Sequence, residues 1–184
     1  MNIAVVGTGY WGKNLVRNFN ELGVLHTICD SDSETLLSFQ REYPEIEFQC
    51  SFQSVLQNPV IDAIVIATPA ETHFEMARAT LLANKHVFVE KPLALFASEA
   101  EELQQLAVRQ NLKLMIGHIL LYHPAIIKLK EIINSGELGK INYIYSNRLN
   151  LGKIRSEENI LWSFAPHDIS AMLYLLDEMP FQVI

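Results

Sequence analysis

Long apolar runs, basic clusters and paired cysteines are all scarce in this chain of 184 residues. No apolar run approaches the length of a membrane span, so a membrane is not an expected partner. The chain enters an apolar run at Ile3, which leaves no room for a signal peptide, and a cytoplasmic location is expected. Against 14 Lys and Arg stand 21 Asp and Glu, a net charge of −7, and no basic stretch interrupts that balance. Nucleic acid and anionic surfaces are therefore poor partners. The two cysteines, Cys29 and Cys50, lack CxxC spacing and read as reduced packing residues. Nor do the six histidines form a zinc pattern, because His118 and His123, the closest pair, stand five apart, the wrong spacing for one helix face. No metal is expected. What the chain does have is core: 49% of residues are hydrophobic and 19% charged, a globular composition without the marks of disorder.

The organising stretch runs from Asn2 to Asp30. The apolar run Ile3-Ala4-Val5-Val6 suits a strand buried on both faces, GTGYWG at Gly7–Gly12 suits a tight turn, and Leu15, Val16, Phe19 and Leu22 mark one side of a helix. A second apolar run, Val24–Cys29, ends in Asp30, 18 residues beyond Gly12. In a dinucleotide site the first glycine makes the turn, the second lets backbone approach a pyrophosphate, and the third seats the helix on the strand. Free N–H groups at the helix start then face the phosphates. An acid at Asp30 would accept hydrogen bonds from both ribose hydroxyls and repel a 2′-phosphate, which favours NAD over NADP. Gly7–Lys13 also fits GxxxxGK, the body of a nucleotide-triphosphate loop, but Asn14 stands where Ser or Thr should hold magnesium, and Gly9 and Asp30 would have no role there. A glycine turn without a ligand is the remaining reading.

Further on, the patterns predict a helix over Ser31–Tyr43 capped by Ser31 or Asp32, and a short strand over Ile46–Cys50. A central strand over Asp62–Ala67 stops at Thr68-Pro69, and a helix follows over Glu71–Leu82. A strand at His86–Val89, a helix at Ala97–Arg109 and a sixth strand at Lys113–Gly117 complete the alternation. The expected fold is α/β, a doubly wound Rossmann domain over residues 1–120 with its ligand crevice at the carboxyl ends of the strands. Thr68-Pro69, Glu90-Lys91-Pro92 and Gly117-His118 all fall at such ends. A lysine at a strand end is either a solvated loop residue or a proton donor and acceptor. Pro92 weighs toward the second reading by holding Lys91 extended.

ATPAETHFEMA at Ala67–Ala77 and HVFVEKPLA at His86–Ala94, with the opening glycine turn and PAIIKLKEIINSGELGKI at Pro124–Ile141, resemble the Gfo/Idh/MocA family of NAD(P)-dependent sugar oxidoreductases. The resemblance covers essentially the whole chain. It implies that Lys91 of the EKP motif is catalytic beside a nicotinamide. It also implies that Thr68, Pro69, His73 and Glu90 line the NAD site with Asp30 and the glycine turn, Gly7, Gly9, Tyr10, Trp11 and Gly12. His167 falls where the family places a histidine that contacts substrate or relays its proton. Relatives carry an aspartate four positions earlier, and this chain has Ser163, a departure that sets Lys91 with His167 in place of a Lys-Asp-His arrangement. Read without the family, His167 and Asp168 are equally a helix cap and its neighbour.

Residues 121–184 are expected to begin an α+β substrate-binding and oligomerisation domain. Ile141–Leu149 alternates like a half-buried strand, Gly152–Ile160 reads as a loop, Pro166–Leu176 as a helix and Phe181–Ile184 as a strand start. Two strands and a helix cannot cover their own apolar face, so the chain is expected to be the amino-terminal part of a longer protein, with this truncated domain open at its edge. Within the family, Asn147–Ser170 most resembles bacterial enzymes acting on nucleotide-activated amino sugars, the UDP-N-acetylglucosamine 3-dehydrogenases in particular. Arg148, Asn150, Lys153 and Arg155 are either sugar and diphosphate contacts or solvated surface. The resemblance thus implies hydride transfer between a sugar-nucleotide hydroxyl and NAD, by a homo-oligomer when full length. An NADP-dependent reductase of a 3-keto sugar and a non-catalytic NAD-binding regulator stay open beside it.

Overall fold

The computed structural model of the protein describes residues 1–149 and 160–183, without the side chains of Ile160 and Ser163. Asn150, Lys153, Arg155, most of the loop expected at Gly152–Ile160, and Ile184 lie outside the described residues. The chain divides into two compact units, Met1–Gly117 and His118–Ile184.

The first unit is a six-stranded parallel sheet in the order β3-β2-β1-β4-β5-β6. Its strands are β1 (Ile3–Val6), β2 (Leu25–Cys29), β3 (Glu47–Gln49), β4 (Ala63–Ile66), β5 (His86–Val89) and β6 (Leu114–Ile116). Every residue of β1 and β4 is buried, as a strand covered by helices on both faces must be. Helices α1 (Gly12–Glu21), α2 (Ser33–Glu42), α3 (Phe52–Gln57), α4 (His73–Leu82) and α5 (Ala97–Arg109) make the crossovers. Two apolar clusters result. One gathers Val6, Ile64, Ile66, Leu81, Val87 and Leu103, and the other gathers Val5, Val16, Ile28, Leu36 and Val65. Each fully buried aliphatic side chain contributes about 1.5–3 kcal/mol, so this sheet is the rigid body on which the strand ends are mounted.

Local chemistry sets the element ends. Asp32 caps α2, its side chain accepting from the Glu34 N–H at 2.9 Å. Asn84 and Asn111 take positive φ just past α4 and α5, where a short amide side chain tolerates the left-handed conformation. A turn of 3-10 helix over Ala70–Thr72 precedes α4, which therefore begins at His73 and not at Glu71.

The described elements of the second unit are helical. After a 3-10 turn at Ile119–Tyr122 come α6 (Pro124–Asn134) and α7 (Ile160–Leu176). Ile141–Leu149 forms no strand: alternation supplies the side-chain pattern, but a strand needs a ladder partner, and none pairs with it among the described residues. Tyr143 and Tyr145 are accordingly 80% and 74% exposed. The strand start expected at Phe181 is likewise absent over the described Phe181–Val183. Helix α7 begins six residues before the expected Pro166, which sits inside it. Lys130 of α6 is buried against the end of α7, where its ammonium donates to the Leu175 carbonyl at 3.1 Å and to the Asp177 carboxylate.

Candidate functional site

The carboxyl ends of β1, β2, β4, β5 and β6 carry the polar residues of the first unit. Gly7 has φ +88°, and a Cβ there would lie 2.8 Å from the carbonyl carbon and oxygen of Ala67 and from the Thr68 nitrogen. At Gly12 a Cβ would sit 1.9 Å from the Gly7 carbonyl oxygen. Both positions exclude any side chain, which fastens the turn to the end of β4 and seats α1 on it. Gly9 is the opposite, with nothing within 4 Å of where its Cβ would be. No side chain caps α1, so open space at Gly9 adjoins an uncapped helix start. That is the shape and polarity a pyrophosphate fits.

Asp30 closes the other side of the turn. Its Oδ2 accepts from the Thr8 N–H at 2.7 Å and the Thr8 hydroxyl at 2.6 Å, and its Oδ1 accepts from the Asp32 N–H at 3.0 Å. Burial pushes this carboxyl up, but the Thr8 and Asp32 hydrogen bonds outweigh it and hold the group below the usual 3.8. Asp30 is thus an ionised acceptor whose Oδ2 is taken up by two donors and whose Oδ1 keeps one free lone-pair direction. Spacing in the sequence did not single out Thr8. A hydroxyl at the second position of the turn is the one hint that it could reach back to the acid.

Glu90 joins three segments. Its Oε1 accepts from the Trp11 indole N–H at 2.8 Å, and its Oε2 lies 3.3 Å from the Lys91 N–H that donates to it. Burial pushes its carboxyl up, partly offset by those hydrogen bonds and by the Lys91 charge. Lys91 follows at the end of β5, joined to Pro92 by a cis peptide bond. Tyr10 and Trp11 stand on the turn at the surface, with the Lys13 ammonium 5.5 Å from the centre of the Tyr10 ring.

The loop after β4 is tied from beneath. His73 is 1% exposed, with Nδ1 2.6 Å from the Pro92 carbonyl oxygen and Nε2 2.8 Å from that of Thr68. Its two nitrogens are occupied by backbone, so it fastens the β4 and β5 loops to each other. The Thr68 hydroxyl pairs with that of Thr72 at 2.6 Å, and Pro69 leads into the 3-10 turn. Cys29 lies beneath Asp30. Burial, then the charges of Asp30 and Cys50, push its thiol up to about 12, so it is a packing group, and both cysteines are free.

In the second unit His167 and Asp168 lie mid-helix in α7, so neither caps a helix start. Asp168 is held by Arg148, whose Nε and Nη2 donate at 2.8 and 3.0 Å, and by the Ser146 hydroxyl at 3.0 Å. The Arg148 pair holds the Asp168 carboxyl below its usual range. Arg148 is therefore engaged by protein, and its bidentate partner is the residue after His167. Among the described residues no three His, Cys, Asp or Glu gather to hold a metal, and no helix is long and apolar enough to cross a membrane.

A family model described as "Oxidoreductase family, NAD-binding Rossmann fold" matches residues 1–118. The chain is similar to UDP-N-acetylglucosamine 3-dehydrogenase of Acidithiobacillus ferrooxidans, with 30% identity over 100% of this chain and 56% of that one. It is also similar to the crystal structure of myo-inositol 2-dehydrogenase from Lactobacillus plantarum, 29% identical, with a TM-score of 0.71 over 77% of this chain and 43% of the other. A likeness of fold alone, at 22% identity and a TM-score of 0.80, links it to scyllo-inositol dehydrogenase from Lactobacillus casei with bound NAD(H) and scyllo-inositol, over 95% of this chain and 56% of that one. The chain spans about half the length of the curated relatives it matches. With its sheet order, its glycine turn and a family model matching more than half of its residues, the protein belongs to the Gfo/Idh/MocA family of oxidoreductases.

Proposed function

We propose that the whole protein is an NAD-dependent dehydrogenase of a nucleotide-activated amino sugar, acting at the C3 hydroxyl of UDP-N-acetylglucosamine. The observation that carries the cofactor half of this reading is the ionised Asp30 carboxylate, tied to Thr8 of the glycine turn at 2.6 Å. A carboxylate fixed there, with Oδ1 open, suits a ribose hydroxyl and disfavours a 2′-phosphate. Gly7, Gly9 and Gly12 would admit the pyrophosphate, with Tyr10, Trp11, Thr68, Pro69 and Glu90 around it and His73 holding the loops. The similarity of the chain to just over half of a UDP-N-acetylglucosamine 3-dehydrogenase supports the substrate half.

Bound NAD would supply the hydride acceptor. Lys91 would take the hydroxyl proton as the ring carbon gives up its hydride, and His167 would assist from the second unit. Asp168, gripped by Arg148, would orient His167 and leave proton transfer to it. The protein would work in the cytoplasm as a homo-oligomer built through the second domain, with residues 1–120 and 121–184 as the two functional parts.

Two measurements test this. Titration of the chain with NADH and NADPH, followed by nicotinamide fluorescence, should show tighter binding of NADH. Equal or tighter binding of NADPH removes the assigned role of Asp30. Assay of the full-length protein with UDP-N-acetylglucosamine and NAD⁺ should show turnover that Lys91→Ala lowers by at least about 100-fold. Unchanged turnover would remove Lys91 as the proton acceptor.

A further inference from the structure

Glycine is usually demanded either by backbone conformation or by space. Gly117, directly after β6, does not have a positive φ, so its conformation is open to any residue. Space is another matter. A Cβ there would lie 2.9 Å from Glu90 Oε1, 2.9 Å from Oε2 and 3.0 Å from Cδ. The nearest atoms are all from one carboxyl group, at the end of a flexible side chain, where Gly7 and Gly12 face backbone instead.

We propose that Gly117 is a positioning residue: the room left by its missing side chain is the seat of the Glu90 carboxylate, and through that seat the end of β6 sets the hydrogen bond from Trp11 to Glu90. The same carboxylate also accepts from the Lys91 N–H. One seated group therefore registers the glycine turn, the end of β5 and the end of β6 against each other. An added methyl at 117 displaces the carboxylate and leaves the backbone in place. Trp11 then loses its acceptor, and the turn that leads into α1 loses its tie to the segment carrying Lys91. The inference rests on the proposed cofactor site only for its effect on cofactor affinity.

The test uses Trp162→Phe as background, which leaves Trp11 as the single tryptophan of the two in the chain. Four further variants are compared: Gly117→Ala, Glu90→Ala, Glu90→Gln and the double variant Gly117→Ala with Glu90→Ala. Without any cofactor, Gly117→Ala should shift Trp11 emission to the spectrum of Glu90→Ala. Glu90→Gln, which keeps an acceptor oxygen of the same reach, should retain the parent spectrum. With NADH, Gly117→Ala should weaken affinity about tenfold, the effect of losing one charged hydrogen bond. In the double variant it should add nothing to Glu90→Ala.

Parent-like emission for Gly117→Ala, or a Gly117→Ala effect that persists in full without Glu90, overturns the assignment. Should Gly117→Ala fail to fold, Glu90→Ala must restore folding by emptying the seat, and failure to restore it also overturns the assignment. If the parent binds no NADH, the cofactor reading falls, and the emission spectra alone decide the role of Gly117.

Discussion

Replacing His73 with alanine is a severe perturbation of the first unit, and its size follows from the geometry. The ring is almost wholly enclosed, and its nitrogens stand 2.6 and 2.8 Å from two backbone carbonyls. Truncating a buried ring of this size costs about 3 kcal/mol in lost packing and residual cavity. A buried carbonyl left without its partner adds about 1–2 kcal/mol. The total, about 4–5 kcal/mol, is a large share of the stability of an ordinary domain. At roughly 4 °C per kcal/mol for a unit of this size, the melting temperature should fall by about 15–20 °C. Thermal unfolding followed by far-ultraviolet circular dichroism measures it directly. His73→Gln, which keeps one amide donor, should recover part of the loss. A fall of under about 4 °C for His73→Ala would refute the argument, because the two loops would then be held by something other than this ring.

The glycines of the turn should separate cleanly. Gly12→Ala places a methyl 1.9 Å from the Gly7 carbonyl oxygen and should cost at least about 3 kcal/mol in urea unfolding. Gly9→Ala meets nothing within 4 Å and should stay within about 0.5 kcal/mol, and similar losses for both would contradict the packing described. Asp30 should leave a mark on acid stability. Its folded carboxyl is held below 3.8, so its contribution is complete above that value and lost as the pH falls below it through the lower folded-state value. Urea midpoints from about pH 5 down to about pH 2 should therefore fall more steeply for the parent than for Asp30→Asn, and superimposable acid limbs would show that the Thr8 hydrogen bonds contribute nothing.

Apolar runs and their stops located the sheet. The bounds expected for Ile3–Val6, His86–Val89 and Ala97–Arg109 match β1, β5 and α5. These segments declare themselves because burial on one or both faces writes itself into the local pattern. The six-residue α3 does not, since it is under two turns long and buries only Val55. Ile141–Leu149 failed for a different reason: alternation describes a face, and a strand also needs hydrogen bonds from a neighbour that local sequence cannot report. Pro166 misled because proline favours the first turn of a helix, whereas here six helical residues precede it and the helix forgoes one backbone bond. Of the site, motifs named Gly7, Asp30, Glu90 and Lys91, but not what joins them. Thr8 and Asp30 are 22 positions apart and Trp11 and Glu90 are 79 apart, and contacts at such separations come from the sheet order.

The bonds from Thr8 and Asp32 to Asp30 are made by the protein to itself. A loop that still had to find its shape would give up conformational freedom at the moment of association, at about 1–2 kcal/mol per residue fixed. Here that ordering belongs to folding. Internal hydrogen bonds that organise a crevice spare a ligand part of that ordering, so more of its affinity goes to discrimination among similar molecules.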